Sequence, residues 1–228
     1  MEGSGLSPPP LFHIGPIGVT RTVADSLIVS GLLIAAAVLV RLGLGRRPSG
    51  WPVVAELVVE HFEDLMRDMF GDDPRPYTPM VVTLALFIGT ANLLGVVPGL
   101  HAPTADLSTT AALAVVVFLA VPFFGVRARG LRGYLRHYLE PSPILLPLEI
   151  ITEFSRTLAL AVRLFGNIMS EELVIAVLLS LAGLLVPIPI MMLAVLTSVV
   201  QAYIFAVLTV VYLSAAVRSH SSPEEARS

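Results

Sequence analysis

The sequence predicts an all-α integral membrane protein. About five membrane helices are expected, with one interfacial amphipathic helix and a last pair of helices long enough to demand strong tilt. Three observations lead there. Hydrophobic residues make up 55% of the 228 positions and charged residues only 14%. The mean hydropathy is +0.84, far from the soluble average. Apolar runs of spanning length recur from one end of the chain to the other, with Arg clusters between them. The net charge of −3 gives no ground for a nucleic-acid partner, and the absence of Cys removes thiolate metal sites and Cys nucleophiles.

Residues 1–22 hold Pro8, Pro9, Pro10 and Pro16 without a basic stretch before an apolar core, so they do not read as a cleavable leader. Residues 23–44 form the first span, with Arg41, Arg46 and Arg47 at its far end. Residues 51–70 differ: apolar positions recur at helical spacing beside Glu56, Glu60, His61, Glu63, Asp64, Arg67 and Asp68. That pattern predicts a helix lying at the interface. The stretch GDDPRPYTP is a loop.

The second span covers 79–97 and ends at Pro98-Gly99; the third covers 108–126. After it, Arg127, Arg129, Arg132 and Arg136 form the densest basic cluster, expected in a solvated loop. Positive-inside logic then gives one consistent topology. With the N-terminus outside, every Arg cluster falls in the cytoplasm, including Arg218 and Arg227, and the Arg-free segment 98–107 falls outside. As one helix, residues 143–186 would run ~65 Å, about twice the hydrocarbon thickness, so the region must be broken, inclined or partly outside the lipid. Residues 190–218 would run ~43 Å and need strong tilt. The whole is one polytopic domain: an outer N-terminal segment (1–22), three spans with interfacial helices (23–142), a helical hairpin (143–218) and a cytoplasmic tail (219–228).

Within the fourth apolar region the segment from Glu149 to Leu173 keeps Glu149, Glu153, Arg156, Arg163, Asn167, Glu171 and Glu172. Ionisable groups at membrane depth are costly, and so mark a functional site by default. On a helix, Arg156, Glu149, Asn167, Thr152 and Ser170 all fall within about 40° of Arg163, while Glu172 falls about 180° away. The flanks are too apolar for a soluble amphipathic helix. Pairing of the charges with one another remains open for Glu153 and Arg156, less so for Arg163, whose nearest carboxylates in sequence lie off its face. In the last span Thr197, Ser198 and Tyr212 fall within about 60° of Gln201.

The run SRTLALAVRLFGN followed by SEE resembles the signature of subunit a of F-type ATP synthases, the membrane stator that carries ions to a rotor ring. PPLFHIGPIGVT, ANLLGVVPG, TADLSTTAALA and VVQAYIFAVLTVVYLS resemble further segments of that family in the same order, and together cover most of the chain. The resemblance implies two half-channels that carry protons, or sodium ions, to and from the ring carboxylates, with the last two helices a long hairpin lying nearly in the membrane plane. It implies that Arg163 is the family's essential arginine, that Gln201 faces and positions it, and that Asn167 and Glu172 belong to the outer path. Asp106 matches an acidic residue at that path's mouth, though a helix N-cap accounts for it equally. Glu149 and Thr152 match the exit path, and Arg156 a basic position beside it.

Two departures stand out. Ala194 occupies a position where several relatives carry His or Glu, and Glu171 one where a small residue is common, so either Glu171 or Glu172 could carry the outer role. The partners implied are the rotor ring of subunit c, peripheral-stalk subunit b, the F1 ATPase sector and membrane lipid, in a bacterial plasma (inner) membrane. No cofactor or metal is expected. A stand-alone secondary transporter or channel is the alternative, but the first three spans do not resemble the last two. No HExxH, GxSxG, CxxC or phosphate loop points to an enzyme.

Overall fold

The computed structural model describes residues 12–14, 17–43, 51–70, 73–97, 100–139, 146–183 and 185–217. Arg46, Arg47, Pro98-Gly99, Arg218 and Arg227 lie outside the described residues, as does most of 1–22. A short antiparallel hairpin, β1 (Phe12–Ile14) and β2 (Ile17–Val19), precedes six helices: α1 (Arg21–Gly43), α2 (Trp51–Phe70), α3 (Thr78–Val96), α4 (Leu107–Leu139), α5 (Leu146–Ala182) and α6 (Ile188–Val217). A 3₁₀ turn, Pro103–Ala105, lies between α3 and α4. The hairpin was not anticipated from the sequence. Five of the helices are long and apolar enough to cross a membrane, all but α2.

Two serines of α1 bond back to their own helix. The Ser26 and Ser30 hydroxyls donate to the carbonyls of Thr22 and Ser26, each at 2.8 Å, which lets serines sit in an apolar helix. α2 is the amphipathic exception. Phe62, Met66 and Phe70, spaced four apart, are buried against Val81, Val82 and Ala85 of α3 and Val210 and Leu213 of α6. Its other face exposes Glu56, Glu60, Asp64, Arg67 and Asp68.

α4 does not stop where the apolar run does. The basic stretch expected as a loop continues as helix to Leu139 across a kink at Gly130, whose φ of 73° suits glycine alone. The chain folds back there: a Cβ on Gly125 would stand 2.5 Å from the Tyr134 ring. α5 settles its own question of length, being one unbroken helix of 37 residues, ~55 Å long. It ends at Gly183, in the left-handed region at φ 71°. α6 begins beyond it with Pro189 in its first turn and runs 30 residues. Both helices of this hairpin exceed the ~30 Å hydrocarbon layer and therefore run oblique to the membrane normal.

The central core joins α3, α4, α5 and α6 through Ile88, Val117, Leu164 and Phe205, all 2% exposed or less. The outward side of α5 remains uncovered, with Phe154, Leu158, Val162 and Leu173 more than half exposed. At membrane depth such a face meets lipid or another membrane protein rather than water.

Candidate functional site

α5 carries the polar stripe along one continuous helix. Glu149, Arg156, Arg163 and Asn167 are all exposed on it. Among the described residues Arg163 has neither an ion pair nor a hydrogen bond, so pairing with a described carboxylate does not account for it. One turn further on, Asn167 Nδ2 donates to Gln201 Oε1 at 2.8 Å. Gln201 is 4% exposed, so this bond satisfies a buried amide and ties α5 to α6 beside the arginine. Gln201 thus reaches the arginine's neighbour; no hydrogen bond joins it to Arg163 itself.

Toward the far end of α5 the two adjacent glutamates diverge. Glu172 turns to the segment after α3, where Oε1 accepts the Ala102 N–H at 2.7 Å and Oε2 lies 3.7 Å from His101 Nδ1. Gly95 makes room for this contact, since a Cβ there would stand 2.6 Å from Ala102 Cβ and 3.2 Å from Glu172 Oε1. Glu171 turns to α6 and accepts a hydrogen bond from the Thr197 hydroxyl. Between them lies a cavity of about 10 Å³, lined by Asn92, Gly95, Ile168 and Ala194 as well as both glutamates. That is room for roughly one water molecule.

Asn92, 2% exposed, accepts from Thr104 Oγ1 at 2.6 Å through Oδ1, and its Nδ2 has no partner among the described residues. Sequence reasoning passed over it. The available signal was an amide inside an otherwise apolar span, which seldom goes without a partner.

Asp106 stands just before α4 and caps it. Oδ1 accepts the Ser108 N–H at 2.9 Å and the Ser108 hydroxyl at 2.8 Å, while Oδ2 accepts from Thr22 of α1 at 2.9 Å. Burial alone would raise its pKa; the backbone and side-chain bonds from Ser108 and the bond from Thr22 outweigh it and hold the carboxyl below its ordinary range. The N-cap reading therefore holds, and Asp106 also fastens α1 to α4.

At the opposite end of α5, Glu149, Thr152, Glu153 and Arg156 line a cavity of about 320 Å³ with Tyr134 and Tyr212. The Arg156 guanidinium lies over the Tyr212 ring, 5.6 Å from its centre, a cation–π placement. Thr152 keeps its hydroxyl on its own helix, donating to Leu148 O at 2.8 Å. Tyr134 was not foreseen, because it arrives only through the fold-back at Gly130. Measured along the helix axis Arg163 stands ~21 Å from Glu149 and ~14 Å from Glu172, so the two chambers lie on opposite sides of it. Among the described residues no group of three or more His, Asp or Glu side chains gathers as a metal site.

Five helices long and apolar enough to cross a membrane, one of them keeping a row of ionisable side chains, define a polytopic integral membrane protein. Residues 23–214 match the family described as ATP synthase A chain. ATP synthase subunit a 2 of Bradyrhizobium sp. (strain BTAi1) is 47% identical over 219 residues, covering 96% of this chain and 98% of the relative. ATP synthase subunit a 1 of Hahella chejuensis is 46% identical over 214 residues, 94% and 91% of the two chains. ATP synthase subunit a of Legionella pneumophila (strain Paris) is 42% identical over 219 residues, 95% of each. The chain belongs to the ATP synthase subunit a family. It is a membrane component of an ATP synthase complex.

Proposed function

We propose that this chain is the ion-carrying stator of the membrane sector. It would offer two half-channels to the carboxylates of a rotor ring of subunit c and couple ion flow to ATP synthesis or hydrolysis, without a catalytic site of its own. The carrying observation is Arg163, a permanent charge left without a partner among the described residues, on an exposed face of α5 and between two polar chambers. Guanidinium stays protonated where a buried Lys would release its proton. It can therefore attract a ring carboxylate as that group gives up its ion, and still bar ions from passing directly between the half-channels.

The outer path uses Glu172, Glu171 and Asn167, with Asp106 near its mouth. The inner path uses Glu149, Thr152 and Arg156. Gln201 holds Asn167 and so keeps the α5–α6 spacing at the arginine. The uncovered side of α5 supports a docking face for the ring. Peripheral-stalk subunit b and, through the complex, the F1 sector complete the assembly. The protein sits in a bacterial plasma membrane with its N-terminus outside and its C-terminus in the cytoplasm, an orientation that the Arg distribution supports. The choice between proton and sodium lies with the ring's own ligands.

The test is Arg163→Ala in the assembled complex, in membrane vesicles stripped of the peripheral ATPase. Loss of coupled synthesis together with faster decay of an imposed ion gradient is expected. A sector that assembles, stays tight and still supports synthesis would make Arg163 an ordinary structural charge.

A further inference from the structure

We infer that Thr197 is a positioning residue of the outer path, a hydroxyl that lets Glu171 exchange its ion without leaving a polar atom unsatisfied in either state. The inference rests on the outer path proposed above and adds a residue to which that reading gave no role. Ile168 and Ile175 flank Glu171 on α5 and Ala194 lies across on α6, while Asn92 and Glu172 line the same small cavity. The polar group that α6 brings to Glu171 is the Thr197 hydroxyl, one turn beyond Ala194.

A hydroxyl has a single hydrogen and two lone pairs. Three acceptors lie in reach of this one: Glu171 Oε1, Leu193 O at 3.2 Å and Ala194 O at 3.0 Å. The two carbonyls belong to Thr197's own helix, and a helical Thr uses such carbonyls readily. When Glu171 is ionised, the hydroxyl hydrogen points to the carboxylate. When a proton from water binds Glu171, the new carboxyl O–H donates to Thr197 Oγ1, and the threonine hydrogen turns to Ala194 O or Leu193 O. Thr197 keeps its own proton throughout, and the only proton exchanged is the one between Glu171 and water. The cavity beside Glu171 has room for roughly one such water. If a cation instead of a proton neutralises the carboxylate, the same rotation frees a Thr197 lone pair toward it.

A valine of the same shape would leave the ionised carboxylate without its charge-assisted bond and the neutral carboxyl without its acceptor. The measurement is ATP-driven ion pumping by the whole complex in inverted vesicles. Thr197→Val should slow pumping roughly tenfold to a hundredfold, the range expected from one lost hydrogen bond to a charged group. Thr197→Ser, which keeps the hydroxyl, should restore it. In a Glu171→Gln background, where residue 171 no longer titrates, Thr197→Val should add nothing.

Pumping at the parental rate in Thr197→Val overturns the inference. So does an equal slowing in the Glu171→Gln background, which would mark a packing defect, or a Ser variant as slow as the Val variant. If Thr197→Val fails to assemble, Thr197→Ala carries the same comparisons with less bulk. The underlying reading is tested apart, by Glu171→Gln combined with Glu172→Gln. Parental pumping there removes the outer path itself, whereas a stalled double variant with a silent Thr197→Val removes only the threonine.

Discussion

Gly95→Ala probes the joint between α3 and Glu172. The added methyl would stand 2.6 Å from Ala102 Cβ and 3.1 Å from Ala102 N, where ordinary contact begins near 3.4 Å. The segment carrying Ala102 must then retreat by about an ångström, which stretches its 2.7 Å bond to Glu172 past the useful limit of about 3.5 Å. Overpacking of this kind costs about 1–3 kcal/mol. Alanine offsets about 1 kcal/mol of that through its better helix propensity, so the subunit survives and the local geometry yields. We expect an assembled complex whose ATP-driven pumping is about tenfold slower, equivalent to ~1.4 kcal/mol on the barrier. Gly89→Ala is the control, because its methyl meets only Ala202 Cβ at 3.5 Å, an ordinary contact, and should pump like the parent. Parental pumping by assembled Gly95→Ala would show that the Ala102–Glu172 contact is no part of the ion path.

Two further outcomes are expected. The chain has no native Cys, so Ser4→Cys and Ser222→Cys can be labelled singly with an impermeant maleimide. They should react from opposite sides of the membrane, and reaction from one side would overturn the five-span topology. Asp106→Asn should lower the thermal stability of the purified complex at neutral pH. The folded carboxyl titrates below its unfolded value of 3.8, so its contribution is complete above that value and is lost as pH falls through the lower, folded one. The parent and variant should therefore converge only at the acid end of a melting-temperature series, and a gap independent of pH would contradict the assignment.

What the sequence made legible was whatever obeys a local period. The spans, the amphipathic face of α2 and the stripe from Glu149 to Asn167 all follow from 3.6-residue repetition. Contacts between distant segments were not legible. Glu172 meets Ala102 across 70 positions and Asp106 meets Thr22 across 84, and neither pairing leaves a mark on either segment alone. The helical continuation after Val126 was hidden for a different reason: four arginines look like a solvated loop, and the glycine that permits the fold-back carries no sign of direction. Glu171 was visible as a departure, but its turn toward Thr197 depends on the register of α6 against α5. That register is set by packing around Leu164 and Phe205.

The absence of any break in α5 has a consequence for how such a protein can vary. Both chambers and the arginine between them are phased by one uninterrupted helical screw. Replacing a side chain leaves that phase untouched. Inserting or deleting one residue between Arg163 and Glu172 would rotate the far glutamates by about 100° and shift them by about 1.5 Å. Glu172 would then swing away from Ala102, and no loop lies between them to absorb the error. The spacing along this helix is therefore under stricter control than the identity of most residues on it. Drift should appear as substitutions along α5, with changes in length confined to the connections beyond its ends.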